Sequence, residues 1–142
     1  MLYSPLILKA ARIMHDAHKN DFDKSGYPYC MHPIHLAEQM TDELSCCTAL
    51  LHDVVEDHGD LCGFETLSNE GFPEEVIRAL RLLTHAPGVP YIDYIRAIAE
   101  DPVARAVKIA DLLHNTDTAR MDGRRAPKYD TYMEALAFLR SV

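Results

Sequence analysis

Apolar residues recur at spacings of three and four along nearly the whole chain, the period of a helix that buries one face. Ser4-Pro5 opens a stripe of Leu6, Ala10, Ile13, Met14 and Ala17, with a capping hydroxyl followed by a proline suited to a first turn. The same pattern predicts helices from Pro33 to about Met40, from about Ser45 to Val55, from Pro73 through Leu83, and from Tyr91 to Ala99. Two more run from Pro102 through about Met121 and from Lys128 to Arg140, while the looser stretch Gly59 to Gly71 holds a short helix around Phe64 to Ser68. No alternating run of strand type occurs; Gly26-Tyr27-Pro28-Tyr29 comes nearest, and its proline makes it a poor strand. The expected class is all-α, a single-domain helical bundle. Two polar loops, Asn20 to Met31 and His85 to Pro90, are the expected walls of a cleft, because loops on a rigid scaffold carry chemistry.

Three clusters of ionisable residues interrupt this apolar frame. In Leu51-His52-Asp53-Val54-Val55-Glu56-Asp57, a continuous helix would set His52 one turn below Glu56 and Asp53 one turn below Asp57. The flanking Ala49, Leu50, Val54 and Val55 draw the segment toward a core, where ionisable side chains are costly unless paired or bound to metal. In Lys108-Ile109-Ala110-Asp111-Leu112-Leu113-His114-Asn115, the residues Lys108, Asp111 and Asn115 share one face. In His32-Pro33-Ile34-His35, the proline puts His32 at a helix start. His32, His52, Asp53 and Asp111 thus form a ligand set of two imidazoles and two carboxylates drawn from three helices. Such a set suits Mn, Fe, Co, Ni or Zn, and its carboxylate share without cysteine favours a harder divalent ion such as Mn2+.

The net charge of -8 argues against a nucleic-acid polymer as partner, which needs a basic face, but not against a small phosphorylated ligand. No apolar stretch approaches a membrane span and the first residues lack a basic leader, so a cytoplasmic protein is expected. With 142 residues, no repeat and no linker, one domain over residues 1–142 is expected. Cys30, Cys46, Cys47 and Cys62 show no metal-type spacing and are expected as reduced thiols. His15, His18, His35, His58 and His85 are expected to be structural. His114 lies about 100° around the helix from Asn115 and is expected to pack behind the site rather than ligate.

The segments His18-Lys19 through Lys24-Ser25-Gly26, Pro28-Tyr29 and His32-Pro33, then Leu51 through Asp57, then Val107 through Asn115 carry a resemblance to a known family. Their His…His-Asp…Asp pattern resembles the HD superfamily of metal-dependent phosphohydrolases, and more closely the hydrolase domain of the RelA/SpoT alarmone enzymes and their small stand-alone relatives. The resemblance implies an HD-domain bundle and Mn-dependent removal of the 3′ pyrophosphate from ppGpp or pppGpp. It also implies Glu56 as general base with Asp57 as its partner, and Asn115 as a neutral donor to water or phosphate. Lys24, Arg125 and Tyr129 match positions that contact the substrate, and Lys108, three residues before Asp111, is a further candidate to bind it. Two positions depart: Asp23 and Leu112 stand where these hydrolases carry arginines, the first packing on guanine, so a weaker guanine preference is expected. Two other readings stay open on the sequence: a nucleotide phosphatase acting on an adenine or monophosphate substrate, and a non-catalytic sensor that binds metal and nucleotide.

Overall fold

Ser4 and Pro5 start the first helix as their chemistry requires. Ser4 Oγ accepts from the Ile7 N–H at 3.1 Å, and Pro5 fills a first-turn position whose N–H would lack a partner. In this computed structural model, which describes residues 1–142, nine helices follow one another. They are α1 (Pro5–His18), α2 (Met31–Glu38), α3 (Glu43–Leu51), α4 (Val54–His58), α5 (Phe64–Asn69), α6 (Glu74–Leu83), α7 (Tyr91–Ala99), α8 (Pro102–Asn115) and α9 (Tyr129–Ser141). A single 3-10 turn, Thr118–Met121, lies between the last two. There is no sheet, only one isolated bridge between Phe22 and Pro28 that closes the hairpin leading into α2. The all-α expectation holds.

α3 is the axis of the bundle. Every residue from Ser45 to Leu51 is buried, and the helix packs against α1, α2, α6 and α8. Its apolar character on all sides is what a central helix needs. Asp42 caps it, Oδ1 accepting from Ser45 N–H at 2.8 Å, and Asp101 caps α8 in the same way at 2.9 Å. The buried apolar side chains form one contiguous core, and all four cysteines are free thiols.

Two helices end earlier than periodicity predicts, and both breaks shape the site. The helix expected from Ser45 to Val55 stops at Leu51 and resumes at Val54, leaving His52 and Asp53 at the join. Neighbours on a continuous helix point about 100° apart, so they could not aim at one point. Asp53 takes φ -107° and ψ -1°, off helical values, and re-aims its side chain. The helix expected from Pro102 to Met121 stops at Asn115, where the Thr116 hydroxyl donates to Leu112 O at 2.7 Å. Asp117 then caps the 3-10 turn through Ala119 N–H at 3.0 Å, which carries Arg120 back toward the α1–α2 hairpin.

Candidate metal centre

His52 leaves the end of α3 with its Nδ1 2.8 Å from Ala49 O. A carbonyl only accepts, so Nδ1 carries the hydrogen and Nε2 presents a lone pair. That Nε2 is buried without a hydrogen-bond partner, although it lies 3.0 Å from Asp53 Oδ2 and 3.7 Å from Asp111 Oδ1. The distances are those of an ion pair but the directions are not those of a hydrogen bond, so the nitrogen faces the space between the two carboxylates. His32 differs in having a hydrogen-bond partner at each ring nitrogen. Its Nδ1 lies 2.7 Å from Nδ1 of His114, and its Nε2 lies 2.9 Å from Asp111 Oδ1. Burial and the Arg120 charge push the His114 pKa down to about 3, so His114 is neutral and can accept from His32. With its hydrogen on Nδ1, His32 would present the Nε2 lone pair to a metal; with it on Nε2, the same contact is a hydrogen bond to Asp111 Oδ1.

The His52 lone pair, this close to two carboxylates, is repelled by them unless a cation lies between. Burial alone would lower the basicity of His52, but the charges of Asp53 and Asp111 raise it well above its ordinary value. That field demands positive charge, as a proton or as a metal ion. Asp53 is pushed up by burial but pulled further down, to about 2, by His52. Asp111 is likewise opposed by burial yet held well below the carboxylate range by Lys108 and the two imidazoles. Ligand atoms of His32, His52 and Asp53 lie within 4.8 Å of one another, and Asp111 joins them through its contact with His32. Two carboxylates and two imidazoles so placed are a donor set that fits a divalent ion.

The supports of this set come from distant parts of the chain. Tyr29, at the end of the hairpin, donates its hydroxyl to Asp53 Oδ2, and burial raises its pKa far above the ordinary tyrosine range, so it stays a donor. Lys108 Nζ donates to Asp111 Oδ2 at 2.9 Å and Asn115 Nδ2 to Asp111 Oδ1 at 2.9 Å. These partners fix both oxygens of a carboxylate that would otherwise rotate.

Lys108 and Asn115, on either side of Asp111 along α8, border two cavities. The first, about 240 Å³, is lined by Asn115 with Asp23, Lys24 and Arg120. The second, about 380 Å³, is lined by Lys108 with Glu56, His85 and Tyr94. Lys128 and Tyr132 contribute to both walls. Glu56 Oε1 accepts from His85 N–H at 3.0 Å, which fixes the carboxylate at the second cavity. Asp57 is pushed up to about 6, by burial first and then by the charges of Asp53 and Glu56.

The sequence-predicted residues therefore separate. His32, His52, Asp53 and Asp111 converge, with Glu56 and Asp57 one helical turn beyond and Lys24 on a cavity wall. Asn115 and Lys108 direct their donors at Asp111, and Lys108 also lies 5.2 Å from the centre of the Tyr94 ring. Arg125 is exposed, sits 4.5 Å over the ring of Tyr129, and lines neither cavity; Lys128 and Tyr132 do so instead. Periodicity missed Tyr29, Arg120, Lys128 and Tyr132. The i, i+4 spacing of Lys128 and Tyr132 was a signal for the last two, in a register one turn from the Arg125–Tyr129 pair. Leu112 is fully buried in the core, so its position offers no charge to the site. Among the remaining histidines, His18 Nδ1 and His58 Nε2 share Asp21 Oδ2 at 3.0 and 2.6 Å, tying the end of α1 to α4.

No protein-family model matches the chain. A probable GTP pyrophosphokinase of Mycobacterium leprae is 34% identical over 128 residues, 81% of this chain and 16% of that protein. A guanosine-3′,5′-bis(diphosphate) 3′-pyrophosphohydrolase of Aquifex aeolicus is 31% identical over 79% of this chain and 17% of its own length. The bifunctional (p)ppGpp synthase/hydrolase SpoT of Escherichia coli K12 is 31% identical over 82% of this chain and 19% of its own length. The chain thus spans under a fifth of these relatives. A solved structure of a metazoan SpoT ortholog, described as hydrolysing ppGpp, superposes with a TM-score of 0.72 at 23% identity, covering 99% of this chain and 86% of that one. In sequence and in fold, the chain resembles the hydrolase domain of the RelA/SpoT proteins.

Proposed function

We propose that residues 1–142 form a metal-dependent phosphohydrolase domain that releases the 3′ pyrophosphate of ppGpp, pppGpp or a related alarmone. Mn2+ is the ion the donor set favours, and the setting is cytoplasmic, consistent with the absence of any helix long and apolar enough to cross a membrane. The observation that carries this reading is the convergence of the His32 and His52 Nε2 atoms on the carboxylates of Asp53 and Asp111. These four residues would hold the ion. Bound there, a divalent metal lowers the pKa of water and offsets charge on a phosphoryl group.

The chain's own residues supply the rest. Water attacks the phosphorus joined to the ribose 3′ oxygen, that P–O bond breaks, and pyrophosphate and the nucleoside with its 5′ phosphates intact leave. Glu56, fixed by the His85 N–H, is oriented to act as general base. Asp57, with its carboxyl pushed up to about 6 by burial and its anionic neighbours, can hold the proton and return it to the 3′ oxygen. Asn115 and Lys108 keep Asp111 in place, and Lys24 offers a cation to the nucleotide.

The test is to load the purified protein with Mn2+ and screen guanine and adenine nucleotides, reading pyrophosphate and orthophosphate separately. Pyrophosphate release from ppGpp, with metal binding and turnover both lost in His52→Ala and Asp53→Ala while helical content persists, is the expected result. Full metal occupancy in either variant, or no turnover on any nucleotide, would overturn the reading.

A further inference from the structure

The cavity of about 240 Å³ between the α1–α2 hairpin and the turn after α8 has an unusual charge for this chain. Its charged lining is Lys24, Arg120 and Lys128 against Asp23 alone, whereas the whole chain carries -8. The one carboxylate is already committed. Asp23 Oδ1 accepts from the N–H groups of Ser25 at 2.9 Å and Tyr27 at 3.0 Å, closing the hairpin turn. Its Oδ2 lies 3.4 Å from Arg120 Nη2.

Arg120 is held on its other edge as well. Nη1 donates to His114 O at 2.8 Å and lies 3.5 Å from Asn115 Oδ1. A guanidinium has five N–H donors; three face these protein acceptors, so two are uncommitted on a side chain that is 20% exposed and lines the cavity. Asn115 in turn donates to Asp111, so this guanidinium stands one side chain away from the candidate metal centre. A planar, pre-oriented fork with spare donors and two flanking ammonium groups is the arrangement that binds phosphate with little loss of side-chain freedom.

We propose that Arg120, oriented by Asp23, is the anion-binding residue of this cavity and grips a phosphate group of the nucleotide other than the one being cleaved. The identity of the ligand as a nucleotide rests on the hydrolase reading above. Asp23 acts as a positioning residue: it holds the guanidinium and touches no ligand. The alternative is an ion pair that merely ties two loops together, and such a pair would not distinguish a phosphorylated ligand from an uncharged one.

The test is calorimetric binding of guanosine 5′-diphosphate and of guanosine to the Mn2+-loaded 142-residue chain, with thermal melting to verify folding. Arg120→Ala is expected to weaken the diphosphate by about tenfold or more and leave guanosine unchanged, with partial recovery in Arg120→Lys, which keeps charge without the fork. Asp23→Asn retains an oxygen for the turn but loses the ionic partner. It should weaken the diphosphate a few-fold (about three- to fivefold) on its own and not at all in the Arg120→Ala background, the signature of acting through Arg120. Diphosphate affinity within about twofold of wild type in both Arg120 variants, equal losses for the two ligands, or a wild type that binds no diphosphate at millimolar concentration would each overturn the proposal. Independent losses from the two sites would remove the positioning role of Asp23. A protein that hydrolyses no nucleotide yet shows Arg120-dependent diphosphate binding would sink the hydrolase reading and leave this one standing.

Discussion

His114 meets His32 edge to edge, their Nδ1 atoms 2.7 Å apart and their ring planes within 4°. A centroid separation of 4.9 Å with near-parallel planes is what an in-plane N–H···N bond between two imidazoles gives. His35 covers one face of His114 at 4.1 Å, so that ring is itself fixed. His32 thereby presents Nε2, and only Nε2, to the carboxylates. Removing the acceptor in His114→Ala frees the ring and its tautomer, and metal affinity should fall about 10- to 100-fold, the usual effect of losing such an outer partner. Metal titration by calorimetry measures this. An unchanged affinity would show that packing alone orients His32.

The four candidate ligands were legible in the sequence because each is announced locally: a His-Asp dipeptide inside an apolar run, a His before Pro33, an Asp on a helical stripe. The break that lets His52 and Asp53 converge was not legible. Ala49 through Val55 reads as unbroken helix by pattern, and the join is set by His52 hydrogen-bonding to Ala49 O and Asp53 turning toward Tyr29, contacts that exist only in the folded chain. The same holds for the cations. Arg120 and Arg125 both lie in the segment between α8 and α9, and only the 3-10 turn decides that the first faces the site while the second stacks on Tyr129 in solvent. Asp23 shows the limit from the other side: its departure from the family pattern was visible, but its part in the hairpin turn and its pairing with Arg120 were not.

Lys108 should be worth more to the metal-free protein than to the loaded one. Its ammonium is only 13% exposed and bonds Asp111 Oδ2 at 2.9 Å, so Lys108→Met leaves a buried carboxylate without its lysine partner. Breaking such a pair costs about 3 kcal/mol or more. A divalent ion on Asp111 replaces the lost positive charge, so the deficit should shrink by about half or more in saturating Mn2+. Urea unfolding with chelator and with metal gives both numbers. Equal deficits in the two conditions would mean the ion does not bind at Asp111.

Glu56→Gln separates basicity from architecture. The amide oxygen can still accept from His85 N–H, so the bond now 3.0 Å long and the loop it fixes should survive. Metal content and substrate affinity should stay near wild type while turnover drops about 100-fold or more, the scale of a lost general base. Steady-state rates and equilibrium binding should be measured on the same preparation. Unaltered turnover would move the base to Asp57.

Asp57 gives the pH test, and its sign is opposite to that of a salt-bridged carboxylate. Burial and the charges of Asp53 and Glu56 raise its folded-state value from 3.8 to about 6. Between those values the folded protein binds more protons than the unfolded chain, so this group's contribution is fully present below pH 3.8 and is lost as pH rises through 6. Asp57→Asn abolishes the titration without changing the shape of the side chain. The variant should therefore match wild type near pH 4, gain on it as pH rises toward 6, and hold a constant advantage above about pH 7. Because the residue as a whole is exposed and its carboxyl only partly shielded by its neighbours, solvent screening should limit that advantage to about 1 kcal/mol. Melting curves of the metal-free proteins across this range measure the difference directly, with acid loss from Asp53 and Asp111 common to both and cancelling. A variant that is less stable than wild type at neutral pH would show that the ionised Asp57 carboxylate is held by a favourable partner, and that the strain assigned to it is absent.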